Sequence, residues 1–271
     1  MHFSKSIIRA TLLILTSSLL NSSIQANAYW TKVFLRIEGS EKTIFENTIL
    51  TTGHIVTTAS GGTHECDGKN NGAHTTPGAT IISAIDDAVS IWDGAYHREI
   101  RDYFIDSIDG DKERDGKRWG LLVGYKPADM GGCLTQLAAD DQVLVAFDAS
   151  SASAFLEANA SPLRVSTGSS VVFTVVNGAD KTPVKGAKVA AESGPEGVTD
   201  SDGKATLNFE NASEYKHNTT KDKATRSNQC DPQMLASTSI RLRRRRPSGL
   251  TRLLSRLRLV AAAAGAARQP K

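Results

Sequence analysis

Histidine and cysteine, the side chains best suited to metal binding and nucleophilic chemistry, concentrate in one short stretch of the 271-residue chain. His64, Cys66 and Asp67 are almost adjacent, and His54 and His74 flank them. The spacing matches no zinc signature, and a cysteine of an exported protein is more often part of a disulfide than a metal ligand. We therefore predict no metal and no cofactor in this stretch.

Carboxylates offer two further candidate sites, one for calcium and one for acid–base catalysis. Asp111–Gly116 has the composition of a calcium loop, but Leu122 occupies the position at which an EF-hand needs its bidentate Glu. We predict a solvated hairpin turn there. Asp86 and Asp87 are adjacent on a predicted helix and point in different directions, so they do not form an acid–base pair. Because the sequence also lacks a Gly-x-Ser-x-Gly motif, we predict a protein that is not an enzyme.

The N-terminus has the pattern of a secretory signal peptide. Lys5 and Arg9 precede the apolar run Ala10–Leu20, and Ala26-Asn27-Ala28 has the small-x-small form of a cleavage site. This apolar run is far shorter than the ~20 residues that span a bilayer. We predict that residues 1–28 are removed and that the mature chain, starting at Tyr29, is extracellular or on the cell surface without a transmembrane segment.

The net charge of +3 hides a strong asymmetry along the chain. The signal peptide carries two positive charges, and residues 236–271 carry ten (nine Arg and Lys271) with no acidic residue. Subtracting these charges leaves −9 for residues 29–235. A body this acidic argues against nucleic acid or anionic lipid as its partner.

Residues 229–271 are interpreted as a basic, low-complexity tail. The cluster Arg241–Arg246, followed by Leu and Arg residues, is compatible with a cationic amphipathic helix that binds membranes, heparin-like polymers or nucleic acid. Three alternatives stay open: a disordered extension, a processing site, and a mistranslated end of the gene model.

Three cysteines remain for the oxidising compartment that the signal peptide implies. Cys66 and Cys133 each lie in a Gly-rich loop, so we predict that they form a disulfide with each other. Closing so long a loop would stabilise the fold by roughly 4 kcal/mol in the chain-entropy model. Cys230 is then left over, as a free thiol or an intermolecular partner.

Secondary-structure patterns in the first half predict strands around one helix. Thr80 can cap a helix in which Ile81, Ile82, Ile85 and Val89 recur at helical spacing. Between the second predicted strand and this helix, residues 61–78 are interpreted as a long polar loop. Runs rich in β-branched and aromatic residues predict five strands: Val33–Gly39, Lys42–Ile49 with His54–Thr58 as a possible extension, Tyr103–Ile108, Trp119–Tyr125 and Gln142–Phe147.

The order of these elements predicts an α+β fold, a β-grasp sheet with one packed helix over residues 29–149. A β-sandwich is the alternative. The Ala/Ser-rich residues 150–162 are interpreted as a linker or short helix, and residues 163–228 show short runs with Gly, Pro and Asp turns typical of an all-β Ig-like sandwich. Because that module is short for a sandwich, we expect frayed or missing strands near Tyr215–Asn228.

Particular motifs of both units resemble known families. Arg36-Ile37-Glu38-Gly39, Thr43-Ile44-Phe45-Glu46, Trp119-Gly-Leu-Leu-Val and Asp140-Asp141-Gln142-Val143, within roughly 32–149, resemble the transcobalamin-like C-terminal domain family, especially its secreted fungal members. This resemblance implies a β-grasp fold and an extracellular location. The Pro-Val-x-Gly-Ala-x-Val and Thr-Asp-x-x-Gly-x-Ala-x-Leu motifs of the second unit resemble bacterial Ig-like and carboxypeptidase-regulatory-like modules.

These observations lead us to expect a non-enzymatic secreted or cell-surface protein that acts in adhesion or in carbohydrate or protein binding. The family resemblance implies an alternative, a carrier of a corrinoid-like small molecule, for which Trp119, Leu121 and Tyr125 are the first candidate contacts. A secreted hydrolase is a further alternative. Asn211 and Asn218 each begin an N-glycosylation sequon, and a glycan at either would mark exposed surface.

Overall fold

The computed structural model describes residues 30–191, 193–211 and 213–235. One α-helix, α1 (Ile81–Ala88), and two short 3-10 turns, Asn70–Gly72 and Ala149–Ser151, accompany the strands. The strands in chain order are β1 (Thr31–Glu38), β2 (Thr43–Thr51), β3 (His54–Thr58), β4 (Gly62–Cys66), β5 (Trp92–His97), β6 (Asp102–Ile108), β7 (Asp111–Lys112), β8 (Trp119–Val123), β9 (Lys126–Pro127), β10 (Gln142–Phe147), β11 (Ala154–Ser161), β12 (Arg164–Ser166), β13 (Ser169–Asn177), β14 (Lys188–Ala191), β15 (Gly197–Val198), β16 (Lys204–Phe209), β17 (His217–Thr220), β18 (Ala224–Thr225) and β19 (Gln233–Leu235).

The fold is mostly β, and the prediction of an α+β class with a helix-packed β-grasp sheet is wrong. Strands hold 50% of the described residues, helical residues only 7%, and the strands divide among several small sheets. The helical period in the sequence is real but covers eight residues. Several polar segments without an apolar period, such as Gly62–Cys66, pair as strands instead. Paired strands therefore hold far more of the described residues than the one α-helix that the hydrophobic pattern predicts.

The largest sheet has the strand order β2-β1-β10-β8-β9. Its centre is the parallel pair β1 and β10, with Ile37 opposite Val145, and β8 and β2 add in antiparallel orientation on either side. Because side chains alternate between the two faces of a strand, Val33 and Leu35 join Ile37 in the first hydrophobic core. The opposite face of this sheet meets the second half of the chain.

Helix α1 covers the first core and has a well-defined beginning. The Thr80 hydroxyl accepts from the Ser83 backbone N–H, and the Ser83 hydroxyl accepts from the Thr80 N–H, which completes a capping box. Ile81, Ile82 and Ile85 are fully buried. The period of these isoleucines therefore predicted the buried face of the helix correctly.

A disulfide joins Cys66 and Cys133, the pair that the sequence predicts. The S–S distance is 2.06 Å, the two residues are 67 positions apart, and neither is exposed. Cys230 is a free, buried cysteine, and its burial raises the pKa of the thiol to about 12. None of the three cysteines therefore offers a reactive thiolate on the described surface.

Asp102 lies beneath the disulfide loop as a buried carboxylate. Its Oδ1 accepts from the backbone N–H groups of Tyr103 and Cys133, both at 2.8 Å. Burial raises the pKa of Asp102 to about 6, although these hydrogen bonds act in the opposite direction. Asp102 therefore orders the loop by hydrogen bonds, but its ionised form lowers the free energy of unfolding, by an amount that depends on pH.

Asp102→Asn should change how stability depends on pH. A carboxyl whose pKa is raised on folding stabilises fully below its unfolded value, and this contribution is lost as pH rises through the folded value. Between about pH 4 and pH 7 the wild type should lose up to about 3 kcal/mol from this group, whereas the variant keeps the Oδ1 acceptor and loses nothing. Unfolding free energies from urea titrations at several pH values measure the difference, and parallel pH profiles would contradict it.

The second core lies between small sheets in the remainder of the chain, which we call the second unit (residues 154–235). One sheet has the order β16-β13-β11-β18 and another the order β15-β14-β17. Strand β11, Ala154–Ser161, lies within residues 150–162, for which the sequence predicts a linker or short helix. Leu156, Ala158 and Ala160 alternate into the core. Because alanine has a low strand propensity, the alternation of these residues did not predict a strand.

The end of the second unit also differs from expectation. The segment Tyr215–Asn228, where strands were expected to be frayed or missing, contains β17 and β18. Residues 229–235 were predicted to belong to the tail. In the structure, β19 pairs with β12, and the backbone of Cys230 forms an isolated antiparallel β-bridge with that of His217. The predicted signal peptide and residues 236–271 of the basic tail lie outside the described residues. Within the described part of the chain, no helix is both long and apolar enough to cross a membrane.

Candidate functional site

The two units meet along the face of the large sheet that points away from the first core. Leu122, Tyr125 and Leu144 form a small apolar cluster there, against which Phe155 of the second unit packs. Gly178 lies so close to the Tyr125 ring that a Cβ at this position would clash at 2.3 Å. The junction is therefore closely packed at this end.

At the other end of the junction, Arg226, Glu38 and Arg36 form a buried ionic network. Arg226 of the second unit donates from Nε to Glu38 Oε2 at 3.0 Å and from Nη2 to the Gly39 carbonyl at 2.6 Å. Arg36 approaches Glu38 Oε1 at 3.7 Å. Glu38 is only 1% exposed, and this burial raises its pKa even though both arginines act to lower it. Burial of the carboxylate therefore outweighs its two partners, as is common for buried ion pairs.

Beside this network lies a cleft of about 340 Å³. This cleft is open to solvent and largely polar, and it is contributed by both units. Its polar and aromatic lining residues are Glu38, Ser40, Arg114, Lys117, Phe147, Asp148 and Ser151 from the first unit (residues 30–153) and Asp222, Lys223, Thr225 and Arg226 from the second.

Asp148 is one of three carboxylates that line the cleft, with Glu38 and Asp222. It follows β10 with a φ of 56°, and its side chain accepts from the Ser151 hydroxyl at 2.7 Å and from Lys117 Nζ at 3.2 Å. The Ser151 hydrogen bond is the main cause that lowers the pKa of Asp148, and Lys117 adds to it. Asp148 is therefore ionised at neutral pH with its partners in place.

Asp111 makes an equivalent arrangement on the neighbouring hairpin. Arg114 Nη1 and the Ser40 hydroxyl each donate to Asp111 Oδ1 at 3.0 Å. Partial burial acts to raise the pKa of Asp111. The hydrogen bonds from Ser40 and Arg114 lower it by more than burial raises it, so the pKa lies below its usual value. The Arg114 guanidinium also lies 4.8 Å over the Phe147 ring, a cation–π contact that orients it.

This hairpin includes the sequence predicted as a solvated turn. Asp111–Lys112 form β7, and the chain reverses through Asp115 and Gly116, both with positive φ. No group of three His, Cys, Asp or Glu side chains placed to hold a metal occurs among the described residues.

The histidines near Cys66 do not converge. His64 stacks on Tyr96 with ring centroids 3.6 Å apart, and His74 bonds to the Leu134 carbonyl. His54 Nε2 lies 3.0 Å from Asp86, while its Nδ1 lies 2.8 Å from the Thr52 carbonyl. The Asp86 hydrogen bond is the main cause that raises the pKa of His54. With both ring nitrogens bonded, His54 is a structural residue.

The three candidate ligand contacts do not share a surface. Trp119 and Leu121 pack with the first core. Tyr125 is 7% exposed and packs on the junction side, against the second unit. Alternation along β8 and the turn that follows it thus separate these side chains.

The two sequon asparagines do share one surface. Asn211 and Asn218 both line a concavity of about 840 Å³ on the second unit, with Tyr215 beside them. Asn211 is exposed, and Asn218 is half-buried in β17. This concavity is separate from the cleft at the junction.

Sequence reasoning missed the residues that build the cleft. Arg226 and Glu38 are 188 positions apart, so no local pattern connects them. Asp148 was not singled out, because the predicted strand Gln142–Phe147 ends one residue before it. The residue type is the one signal that could have marked it, since Asp directly after a strand readily adopts the left-handed conformation seen here.

Comparisons with known protein families and with curated proteins found no match. The resemblance to the transcobalamin-like C-terminal domain family therefore stays a prediction.

Proposed function

We propose that this protein is a secreted or cell-surface binding protein that holds an extracellular carbohydrate in the junction cleft. The observation that carries this proposal is a pair of ion pairs beside one open cleft: Asp148 and Lys117 both line it, and Arg114, which also lines it, is held by Asp111. Sugar hydroxyls both donate and accept hydrogen bonds, and these pairs place an acceptor beside a cationic donor.

The extracellular location rests on sequence and on redox chemistry. Residues 1–28 have the signal-peptide pattern, and a disulfide such as Cys66–Cys133 persists in oxidising compartments. N-glycosylation at Asn211 and Asn218 belongs to the same proposal. Glycans there would cover the separate concavity and leave the junction cleft open.

Binding without turnover is the favoured activity. Two carboxyls whose pKa values are displaced in opposite directions are typical of glycosidase acid–base pairs, and Glu38 and Asp148 line one cleft with such displacements. Glu38, however, is 1% exposed and accepts from the Thr43 hydroxyl and Arg226. It is engaged in holding the two units together rather than facing a ligand.

Ser151→Trp should strongly weaken carbohydrate binding, because the indole would fill the cleft. Ser151 is exposed at the rim, so the indole can enter the cleft without displacing core residues. We expect the wild type to bind members of a glycan array and the variant to bind them at least about tenfold more weakly. Ser166→Trp, an exposed serine of β12 outside the cleft, is the matched control and should bind like the wild type.

Two outcomes would reject the proposal. One is a wild-type protein that binds no glycan on the array. The other is equal binding by Ser151→Trp and Ser166→Trp, which would place the ligand elsewhere. Release of reducing sugar from a bound glycan would replace binding by hydrolysis as the activity.

A further inference from the structure

We propose that the cleft selects neutral sugars with adjacent hydroxyl groups, and that Asp148–Lys117 and Asp111–Arg114 are the specificity-determining pairs. This inference rests on the proposed carbohydrate-binding function and names the class of carbohydrate. An acidic sugar, which carries a carboxylate or sulfate, is the alternative that the charges of the cleft have to distinguish.

The charges around the cleft are balanced one against one. Arg226 lies 3.0 Å from Glu38, and the two rim pairs close at 3.2 and 3.0 Å. The remaining charged lining residues, Asp222 and Lys223, are adjacent in sequence and opposite in sign. Three of the four cations that line the cleft, Arg114, Lys117 and Arg226, are thus ion-paired. An anionic ligand would gain little from cations that are already neutralised and would approach ionised carboxylates.

The hydrogen-bonding capacity of the rim also favours neutral sugars. Asp148 and Asp111 are ionised, so they accept hydrogen bonds and cannot donate them. A carboxylate has about four acceptor positions, and the contacts of Asp148 use two of them. Only a ligand that donates can fill the rest. Hydroxyl groups donate, whereas an ionised carboxylate or sulfate of an acidic sugar does not.

The rim pairs also suit two neighbouring hydroxyls. Lys117 Nζ and Asp148 Oδ2 are 3.2 Å apart, so one hydroxyl can accept from the ammonium while the next donates to the carboxylate. The side chain of Lys117 is 52% exposed, and its ammonium keeps donors beyond the one used by Asp148. Asp111 is held by Ser40 as well as Arg114, which fixes its orientation before a ligand arrives.

Asp148→Asn and Asp111→Asn in the full chain test this assignment. The positive φ of Asp148 is one that Asn tolerates, so the first variant should fold normally. Binding would be measured by calorimetry with neutral hexose oligosaccharides and with uronic-acid oligosaccharides of matched linkage, at low and high salt. We expect Asp148→Asn to bind the neutral sugars about tenfold or more weakly, because a charge-assisted acceptor is lost. Asp111→Asn should also bind them more weakly, because Arg114 in the cleft loses the carboxylate that holds it.

The wild type should bind the neutral sugars equally at both salt concentrations, since no net charge is neutralised. Asp109→Asn is the matched control: Asp109 pairs with Lys42 just before the same hairpin, lies outside the cleft, and has a positive φ. This control should bind like the wild type. Near-ultraviolet circular dichroism would check that all variants are folded.

The outcomes separate the two proposals. If the wild type prefers the uronic-acid sugars, with an affinity that falls with salt and rises in Asp148→Asn, carbohydrate binding stands and the neutral-sugar assignment is overturned. Neutral-sugar binding that both Asn variants retain would overturn the assignment of the specificity residues. If no sugar of either class binds, the proposed function itself fails.

Discussion

Arg226→Ala is expected to lower the free energy of unfolding by about 3 to 5 kcal/mol, the usual cost of removing one partner of a buried ion pair. Glu38 would keep Arg36, at 3.7 Å, and the Thr43 hydroxyl but lose its closer cationic partner, and the Gly39 carbonyl would lose the donor that now lies at 2.6 Å. The burial that already raises the pKa of Glu38 would then be opposed by Arg36 and the Thr43 hydroxyl without the help of Arg226. Urea unfolding followed by tryptophan fluorescence measures the loss.

A second, exposed ion pair supplies the control for this prediction. Lys188 and Glu196 are 2.7 Å apart, but their side chains are 53% and 63% exposed. Lys188→Ala should therefore cost less than about 1 kcal/mol. If Arg226→Ala costs no more than Lys188→Ala, the junction network contributes nothing to stability.

A double-mutant cycle identifies Glu38 as the reason for the Arg226 effect. Glu38→Gln removes the buried charge, so Arg226→Ala should cost much less in that background than in the wild type. The difference should reach about 1 to 3 kcal/mol, the range for residues in one network. Additive losses would mean that Arg226 acts through the Gly39 carbonyl instead.

Replacing Cys66 and Cys133 together by serine is expected to destabilise the protein by about 4 kcal/mol. The bridge closes a loop over 67 positions, and cross-linking a loop of this length removes that much chain entropy from the unfolded state. For a chain of this size the melting temperature should fall by roughly 8 to 16 °C. Reductant should lower the melting temperature of the wild type to the same value and leave the double variant unchanged.

Cys230 provides the internal reference for the disulfide experiment. It is free and buried, so a thiol reagent should label it only after denaturation. Peptide mapping under non-reducing conditions should recover Cys66 and Cys133 in one linked product. Finding both as free thiols would refute the bridge, and Cys230→Ala excludes exchange with the third cysteine as an explanation.

Patterns within a few residues predicted much of the local structure. The isoleucine period at Ile81–Ile85 predicted helix α1 and its buried face, and the apolar run Gln142–Phe147 predicted a strand at the centre of the large sheet. Two of three cysteines in Gly-rich loops predicted the disulfide. In each case the residue types that form the element also make it visible in the sequence.

Other strands could not be predicted, because their own side chains carry little signal. Gly62–Cys66 is polar and was interpreted as loop, yet it pairs with His54–Thr58, and Ala154–Ser161 pairs with β13 although it is rich in alanine. The backbone of a partner strand supplies the stabilising hydrogen bonds in both cases. The fold class was wrong for this reason: one conspicuous helix was given more weight than many inconspicuous strands.

Local sequence patterns therefore specify the helix, the main strands of the first unit, the cysteine pair and the acidic character of residues 29–235. Long-range packing and strand pairing produce the mostly β class, the separation of Trp119 from Tyr125, and the cleft with its ion pairs. The two groups of features differ in the range of the interactions that form them. Helical periods and turns act over a few residues, whereas Arg226 finds Glu38 across 188 positions, through a junction that exists only after both units have folded.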